Sequence, residues 1–203
     1  MPLQLYEKEK MLEACLSLFA RHGYKQTSTE MLAEAAGISK ALIFHHFKSK
    51  KKLYFSLLEH CSEKIGAELK MDSILKYDDF FKALDEFGRL EFNYFRNSPD
   101  EYKLVYEAFY LTPDELIPDI EAKYGDVITS RNKLWRRLFD KVPLRDGLDR
   151  DQAFELIMIA LEHFEKKFLL DVSQIEAVDD EYVQHYFDKM NRFCNMIRFG
   201  IEQ

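Results

Sequence analysis

The segment Thr27–Leu53 places the tightest constraint on the fold, because it encodes two short helices joined by a single glycine. Thr27 can cap the first helix, and Glu30, three positions later, can complete a capping box. Gly37 suits the left-handed residue that ends a helix, and Ser39 can cap the next helix at once. The segment therefore predicts a helix-turn-helix, a motif that reads DNA.

The second of these helices has an inward and an outward face. Ile43 and Phe47 lie four residues apart, on the face that includes Ser39, so we expect them in the core. The outward positions can meet base edges, a thymine methyl group or a sugar, and a small residue among them lets the backbone approach a base. These outward positions are Lys40, Ala41, Phe44 and His45.

Three consecutive lysines, Lys50, Lys51 and Lys52, open the third helix behind Ser49, a candidate N-cap. Positive charge in a first turn opposes the helix dipole, which favours anions there. A phosphate group would resolve this conflict, because it accepts hydrogen bonds from both the lysines and the free N–H groups. The alternative is a solvated charged face. The position directly after the helix-turn-helix favours phosphate contact.

These residues resemble the N-terminal DNA-binding domain of the TetR/AcrR family of bacterial transcriptional regulators, over roughly residues 5–55. The similar features are Phe19, Gly23, Tyr24, Thr27-Ser28-Thr29, the Ala-Gly-Ile-Ser run at 36–39, His46-Phe47, Ser49-Lys50 and Leu53. The resemblance implies recognition-helix positions at Lys40, Ala41, Leu42, Phe44 and His45. It implies phosphate-contacting positions at Thr29, Ser39, His46 and Lys50.

Two residues depart from the family pattern. The family often has Thr or Asn where this chain has Leu42, and Tyr where it has Phe44. Both departures remove a hydrogen-bonding group, so the individual contacts of the family do not transfer to these positions. The operator sequence does not transfer at all.

Charge is divided unevenly along the chain. Residues 1–55 hold nine Lys and Arg against five Asp and Glu, a net charge of +4, whereas the whole chain carries −7 and the remainder −11. This division places affinity for nucleic acid at the N-terminus. The three cysteines lack metal-site spacing and indicate a reducing compartment. Without a signal-peptide pattern or an apolar run long enough for a membrane span, we expect a cytoplasmic protein.

The remainder of the sequence predicts helices only, so the expected fold is all-α. We expect a three-helix DNA-binding domain over residues 1–50 and a helical ligand-binding and dimerisation domain over 51–203. Predicted helices begin at Ser49 (running to about residue 71), at Asp78, after the capping sequences Ser98-Pro99-Asp100-Glu101 and Thr112-Pro113-Asp114-Glu115, after Asp149, and at Asp180. The segment Leu156–Leu161 is apolar on every side, which predicts burial on all sides.

Aromatic residues concentrated in the middle helices can line a cavity for a largely apolar small molecule. The candidate ligand residues are Phe87, Glu91, Phe95, Tyr106, Phe109, Tyr110, Trp135, Phe139, Met158, Glu162 and Phe164. An ordinary hydrophobic core is the alternative for any one of them. Glu91, Arg131, Glu162 and His163 lie on or beside the apolar stripes and can orient a polar group of the ligand, pair with each other or face solvent.

The last two helices, near residues 150–171 and 180–201, carry wide apolar faces. We expect them to form a four-helix interface with a second copy of the chain, as the family resemblance implies; the alternative is that they close the core of a single chain. A two-fold dimer presents two recognition helices, so the expected partner is a double-stranded operator with an inverted repeat.

The predicted function is a ligand-responsive transcriptional regulator, most simply a repressor, that acts without a cofactor or a metal. The sequence has no glycine-rich phosphate loop, Gly-x-Ser-x-Gly elbow or His-Glu-x-x-His motif, so an enzyme is not expected. Adjacent histidines such as His45-His46 point about 100° apart on a helix and are poor joint metal ligands. The alternative function is a dimeric small-molecule-binding or interaction protein whose head has lost DNA affinity.

Overall fold

The computed structural model describes residues 2–173 and 179–203; the side chains of residues 1–7, 44, 71–72 and 173 lie outside this description. The described residues confirm the all-α prediction, with an N-terminal helix-turn-helix followed by further helices. The α-helices are α1 (Pro2–Gln26), α2 (Thr29–Ala35), α3 (Lys40–Phe47), α4 (Lys50–Leu69), α5 (Phe80–Asn97), α6 (Pro99–Tyr110), α7 (Ile117–Phe139), α8 (Arg150–Ser173) and α9 (Asp180–Ile201).

The chain divides into two compact units. The first consists of the chain up to Glu68 together with Tyr94–Leu116, and the second of Leu69–Asn93 together with Ile117–Gln203. The first unit thus contains α1 to α3, nearly all of α4, and α6. It extends beyond the DNA-binding domain expected from the sequence because α6 packs directly against α1.

The start of α2 differs from the capping box expected there. Ser28, rather than Thr27, is the N-cap, and its Oγ accepts a hydrogen bond from the N–H of Met31 at 3.1 Å. Thr27 is buried, and its Oγ1 donates to the carbonyl oxygen of Gly23 at 2.7 Å. The carboxylate of Glu30 accepts from Thr29 Oγ1 at 3.2 Å. Thr27 therefore stabilises the turn before α2 instead of capping the helix.

The following helix boundaries agree with the predictions. Gly37 has a left-handed φ of 63°, which permits the tight turn before α3. Ser39 accepts from the N–H of Leu42 at 3.2 Å, and Ser49 accepts from the N–H of Lys52 at 3.1 Å. The caps of α3 and α4 are therefore confirmed.

The capping contacts of two helices in the middle of the chain differ from the prediction. Asp79, not Asp78, caps α5: its Oδ1 accepts the N–H of the residue three positions on at 2.9 Å. Helix α6 begins at Pro99 as predicted, but Ser98 makes no side-chain capping bond. Glu101, the expected partner in that capping box, is bonded elsewhere, as described below.

Helix α7 begins at Ile117, after the 3-10 helix Asp114–Leu116, and not directly after the predicted capping sequence at 112–115. The hydroxyl of Thr112, the expected cap, instead donates to the carbonyl oxygen of Ala108 at 2.6 Å. Asp149 caps α8 as predicted, accepting from the N–H of Gln152 at 2.9 Å.

The second unit packs α5, α7, α8 and α9 around aromatic side chains. Phe80 is its centre: the ring centroid lies 6.0 Å from that of Trp135 and 5.1 Å from that of Phe139. The prediction that Leu156–Leu161 is buried on all sides is wrong for the single chain, because Leu156 is 50% exposed and Ile159 57% exposed. In the described residues, no helix is both long and apolar enough to cross a membrane.

Candidate functional site

The outward face of α3 is open to solvent while its inner face is fixed. Ile43 is fully buried, and Phe47 is half-buried beside it. Four predicted recognition positions, Lys40, Ala41, Leu42 and His45, are exposed, and so is His46; the side chain of Phe44 lies outside the described residues. An exposed helix face held rigidly from behind can enter the major groove of DNA.

Lys40 pairs with Glu30 across the helix-turn-helix. Both side chains are largely exposed, and the hydrogen bond from Lys40 lowers the pKa of the Glu30 carboxyl. The cation expected to meet a base or a phosphate therefore has an internal anionic partner. Because exposed ion pairs are weak, DNA can replace Glu30 as the partner of Lys40.

Lys50 lies inside the first unit instead of extending from it. Its Nζ donates to the carbonyl oxygens of Tyr24 at 2.8 Å and Thr27 at 3.1 Å. The same Nζ lies 4.0 Å from the centroid of the Tyr24 ring. Of the three lysines in the predicted cluster, Lys50 and Lys51 are half-buried and Lys52 is exposed. Lys50, the first residue of α4, thus connects this helix to the turn before α2. Phosphate contact by Lys50 stays a prediction.

The other predicted phosphate-contacting positions lie at helix starts. Thr29 is the first residue of α2 and is half-buried, whereas Ser39 precedes α3 and is exposed. The rings of His45 and His46 lie nearly perpendicular with centroids 5.4 Å apart. The described residues contain no group of three or more His, Cys, Asp or Glu placed to hold a metal ion.

The predicted ligand residues divide between the two units. Phe95, Tyr106, Phe109 and Tyr110 belong to the first unit, where the rings of α6 form a stack. The ring centroids of Tyr102 and Tyr106 are 3.8 Å apart, and those of Tyr106 and Tyr110 5.4 Å. This stack was signalled by the spacing of four residues along one helix.

The remaining ligand candidates lie in the second unit. Phe87 contacts Trp135, with ring centroids 5.5 Å apart, and Phe139 lies close by against Phe80. Phe164 packs instead against rings of α9. Glu91, Arg131 and Met158 are half-buried, whereas His163 and Glu162 are exposed and Glu162 pairs with Lys166.

The second unit also contains a cavity of about 340 Å³ between α5, α8 and α9. Its walls include Phe81, Leu84 and Asp85 of α5 and Met190, Asn191 and Arg198 of α9. None of the predicted ligand residues lines this particular cavity. Two of its charged groups have polar partners: Asp85 accepts from Asn191 at 2.9 Å, and Arg198 donates to Asp79 at 2.9 Å.

Two residues important to the geometry were missed by sequence reasoning. Glu30 was assigned to a capping box, and nothing in its spacing indicated the contact with Lys40, ten residues on. Glu107 of α6 was not singled out, although it carries a charge between buried Tyr106 and buried Ala108. That interruption of a buried stretch was the available signal, since a charge is seldom placed there without a partner.

The N-terminal helices, with the exposed outer face of α3, define a helix-turn-helix DNA-binding protein. Its sequence matches the profile of the family described as bacterial regulatory proteins, tetR family, over residues 11–57. This match identifies residues 11–57 as a DNA-binding domain of the TetR-family type and supports a TetR-family regulator.

Relatives and solved structures match this chain over most of its length. The chain is 21% identical over 188 residues to the biofilm operon icaADBC negative transcriptional regulator IcaR of Staphylococcus epidermidis, covering 92% of this chain and 98% of the relative. A TetR-like regulator from Rhodococcus sp. RHA1 shares the fold with a TM-score of 0.61, at 20% identity and 91% coverage of both chains. The ketosteroid transcriptional regulator KstR2 of Mycobacterium tuberculosis has a TM-score of 0.61, at 16% identity, covering 98% of this chain and 95% of its own.

Proposed function

We propose that the protein is a ligand-responsive repressor that binds an inverted-repeat operator as a homodimer and is released by a largely apolar small molecule. The observation that carries the proposal is the exposed face of α3, with Lys40, Ala41, Leu42 and His45 facing solvent over a fully buried Ile43. The net charge of +4 on residues 1–55 supports it, because binding to the phosphate backbone depends on local positive charge.

The dimer is supported by apolar surface on the last two helices. Helices α8 and α9 pack against each other and still expose Leu156, Ile159, Met196 and Phe199 by 50 to 72%. Large exposed apolar side chains spaced three residues apart on each of two adjoining helices are typical of a protein interface. A second copy of the chain related by a two-fold axis would cover it, and the four helices would then form the interface predicted from the sequence.

Repression is supported by the relative IcaR, whose name describes a negative regulator. An apolar effector is supported by the aromatic side chains of α5, α6 and α7 and, more weakly, by KstR2, which is named for ketosteroids. We propose that the effector binds among the aromatic side chains of α5 and α7 in the second unit. We propose that its binding changes the direction of α4, which starts in the DNA-binding head. A small change in that direction alters the spacing of the two heads in the dimer. We also propose that the protein acts in the cytoplasm, where the operator is accessible.

Selection of duplexes from a random DNA library by the purified protein tests operator binding. We expect an enriched inverted repeat, bound by two chains per duplex and weakened steeply by salt. Lys40→Ala should relax sequence preference as well as affinity, whereas Lys52→Ala should weaken binding to all duplexes alike. If a stable dimer enriches no sequence, the alternative of an interaction protein with an inactive head is favoured.

The effector is tested with two apolar probes, a saturated long-chain fatty acid and a 3-ketosteroid, alongside mass spectrometry of molecules that copurify with the protein. Coupling between two sites is reciprocal, so a probe that weakens operator binding must itself bind more weakly in the presence of operator. A probe that binds tightly and leaves operator affinity unchanged would contradict release by ligand.

A further inference from the structure

In the turn between α1 and α2, one backbone N–H group donates its hydrogen bond to a side chain of another helix. Helix α1 is interrupted at Gly23, where φ is 71° and ψ is 168°. The next N–H, that of Tyr24, donates to Oε1 of Glu107 at 3.1 Å. Glu107 belongs to α6, 83 residues further along the chain. An amide at a helix interruption needs such an acceptor, because an unsatisfied buried N–H is costly.

Gly23 fits this contact in two ways. The backbone angles lie in a region that is occupied almost only by glycine. A Cβ atom at position 23 would also lie 2.7 Å from Oε1 of Glu107, well inside van der Waals contact. Glycine is therefore required by the conformation of the turn, and a Cβ atom at this position would in addition displace the Glu107 carboxylate.

Helix α4 holds the same turn from the other side. Lys50 donates to the carbonyl oxygens of Tyr24 and Thr27, as described above. One turn along α4, the hydroxyl of Tyr54 donates to Oε2 of Glu107 at 3.4 Å, and its ring lies edge-on to that of Tyr24 with centroids 4.9 Å apart. Tyr54 is fully buried. Glu107 and α4 thus both contact the turn 23–27, and they also contact each other.

The turn 23–27 leads directly into the helix-turn-helix. Thr27 is buried and bonded back to Gly23, and Ser28 caps α2, which packs on α3. We infer that Glu107 is a positioning residue for DNA binding, which sets the orientation of α2 and α3 by holding the Gly23–Tyr24 turn against α6. The inference rests on the proposed operator binding and adds a specific residue of α6 to it.

Burial raises the pKa of the Glu107 carboxyl, although the hydrogen bonds from Tyr24 and Tyr54 act in the opposite direction. Burial disfavours the charge, and the contact with the N–H of Tyr24 needs only a hydrogen-bond acceptor at Oε1. A glutamine offers that acceptor with the same shape and no charge. Glu107→Gln should therefore keep the contact, and Glu107→Ala should lose it.

The test compares Glu107→Ala, Glu107→Gln and the control Glu115→Gln, which removes a carboxylate from an exposed position of the same unit. Affinity for the selected operator duplex is measured by fluorescence anisotropy at a temperature where circular dichroism shows every variant folded. We expect Glu107→Ala to bind about tenfold or more weakly, the equivalent of leaving the N–H of Tyr24 without its acceptor. Glu107→Gln and Glu115→Gln should remain within about threefold of the wild type.

Amide hydrogen exchange supplies a readout that does not depend on DNA. In Glu107→Ala the N–H of Tyr24 and the amides of α2 and α3 should exchange faster, while those of α7 keep their wild-type rates. Uniformly faster exchange across both units would indicate general destabilisation and overturn a positioning role. Operator affinity of Glu107→Ala within about twofold of the wild type would overturn the inference alone, because operator binding itself would stand.

A double-mutant cycle with Gly23→Ala closes the test. The alanine is strained in either background, but its Cβ meets the carboxylate only when Glu107 is present. The loss of operator affinity caused by Gly23→Ala should therefore be smaller in Glu107→Ala than in the wild type. Equal losses in the two backgrounds would show that the two positions act independently and would contradict the inference. A wild type that enriches no duplex would refute the proposed function, and the positioning role with it.

Discussion

The Nζ of Lys50 lies 2.8 Å from the carbonyl oxygen of Tyr24 and 4.0 Å from the centroid of the same residue's ring. A lysine at this position of the helix-turn-helix was expected to contact phosphate. In the structure it connects α4 to the turn before α2 through two carbonyl acceptors. The position therefore contributes to the stability of the head, whatever it adds to DNA binding.

Lys50→Ala is expected to lower the free energy of unfolding by about 1–3 kcal/mol, because hydrogen bonds from a charged donor are lost at a half-buried site. Lys52→Ala, in the same turn but exposed, should change it by less than about 0.5 kcal/mol. Urea denaturation measures both. If the two variants unfold at the same urea concentration, the contacts of Lys50 do not stabilise the head.

A second prediction concerns the ion pair of Glu30 with Lys40. Glu30→Gln should raise DNA affinity several-fold, because Lys40 no longer exchanges one partner for another when it meets DNA. Glu34→Gln is the matched control: it removes one negative charge from an exposed position of the same helix. Salt titrations of binding separate the two effects, since removal of a remote charge should raise affinity less. Equal gains would mean that Glu30 acts only through net charge.

Local patterns in the sequence predicted local features of the fold. The caps at Ser39 and Ser49 and the left-handed Gly37 depend on residues within four positions of each other, so their signals were present in short stretches. Even so, Ser28 and Asp79 took capping roles assigned to their neighbours, because adjacent polar residues compete for one cap.

Contacts between distant segments left no such signal. Tyr24 and Glu107 are 83 residues apart, and their pairing follows from the packing of α1 on α6. The wrong prediction of full burial for Leu156–Leu161 has the same origin: periodicity gives the apolar faces of a helix but not the surface that covers each one. The exposed face of α3 could be predicted because α2, which packs against α3, lies next to it in the sequence.

The pH dependence of stability should reflect Glu101, which is 16% exposed. Burial alone would raise the pKa of its carboxyl, but hydrogen bonds from Lys64, at 2.7 Å, and from Tyr94 outweigh burial and lower the pKa below 4.5. A carboxyl with a lowered folded-state pKa stabilises the protein above pH 4.5, and this contribution is lost as the pH falls through the folded-state pKa. Relative to Glu101→Gln, the wild type should therefore lose stability on acidification.

Urea denaturation at a series of pH values from neutral to about pH 3 measures this difference. Glu107→Gln serves as the internal contrast, because the pKa of Glu107 is raised and its contribution has the opposite sign: relative to that variant, the wild type should gain stability as the pH falls toward 4.5. Parallel stability curves for the wild type and Glu101→Gln would show that the Lys64 and Tyr94 contacts do not favour the charged carboxylate.

The proposed dimer is tested by placing a charge on the exposed apolar face of α9. Phe199 is 72% exposed there, and Val127 on α7 is a similarly exposed apolar residue, at 64%, outside the proposed interface. Phe199→Lys should raise the dissociation constant of the dimer by about a hundredfold or more, because an unpaired charge would have to be buried in the interface. Val127→Lys should leave the dimer intact.

Sedimentation velocity at micromolar concentration distinguishes the two variants. The monomeric variant should bind the operator with a shallower dependence on salt, since each chain then neutralises the phosphates of one half-site only. Sedimentation of Phe199→Lys as a stable dimer would place the interface on another surface of the chain.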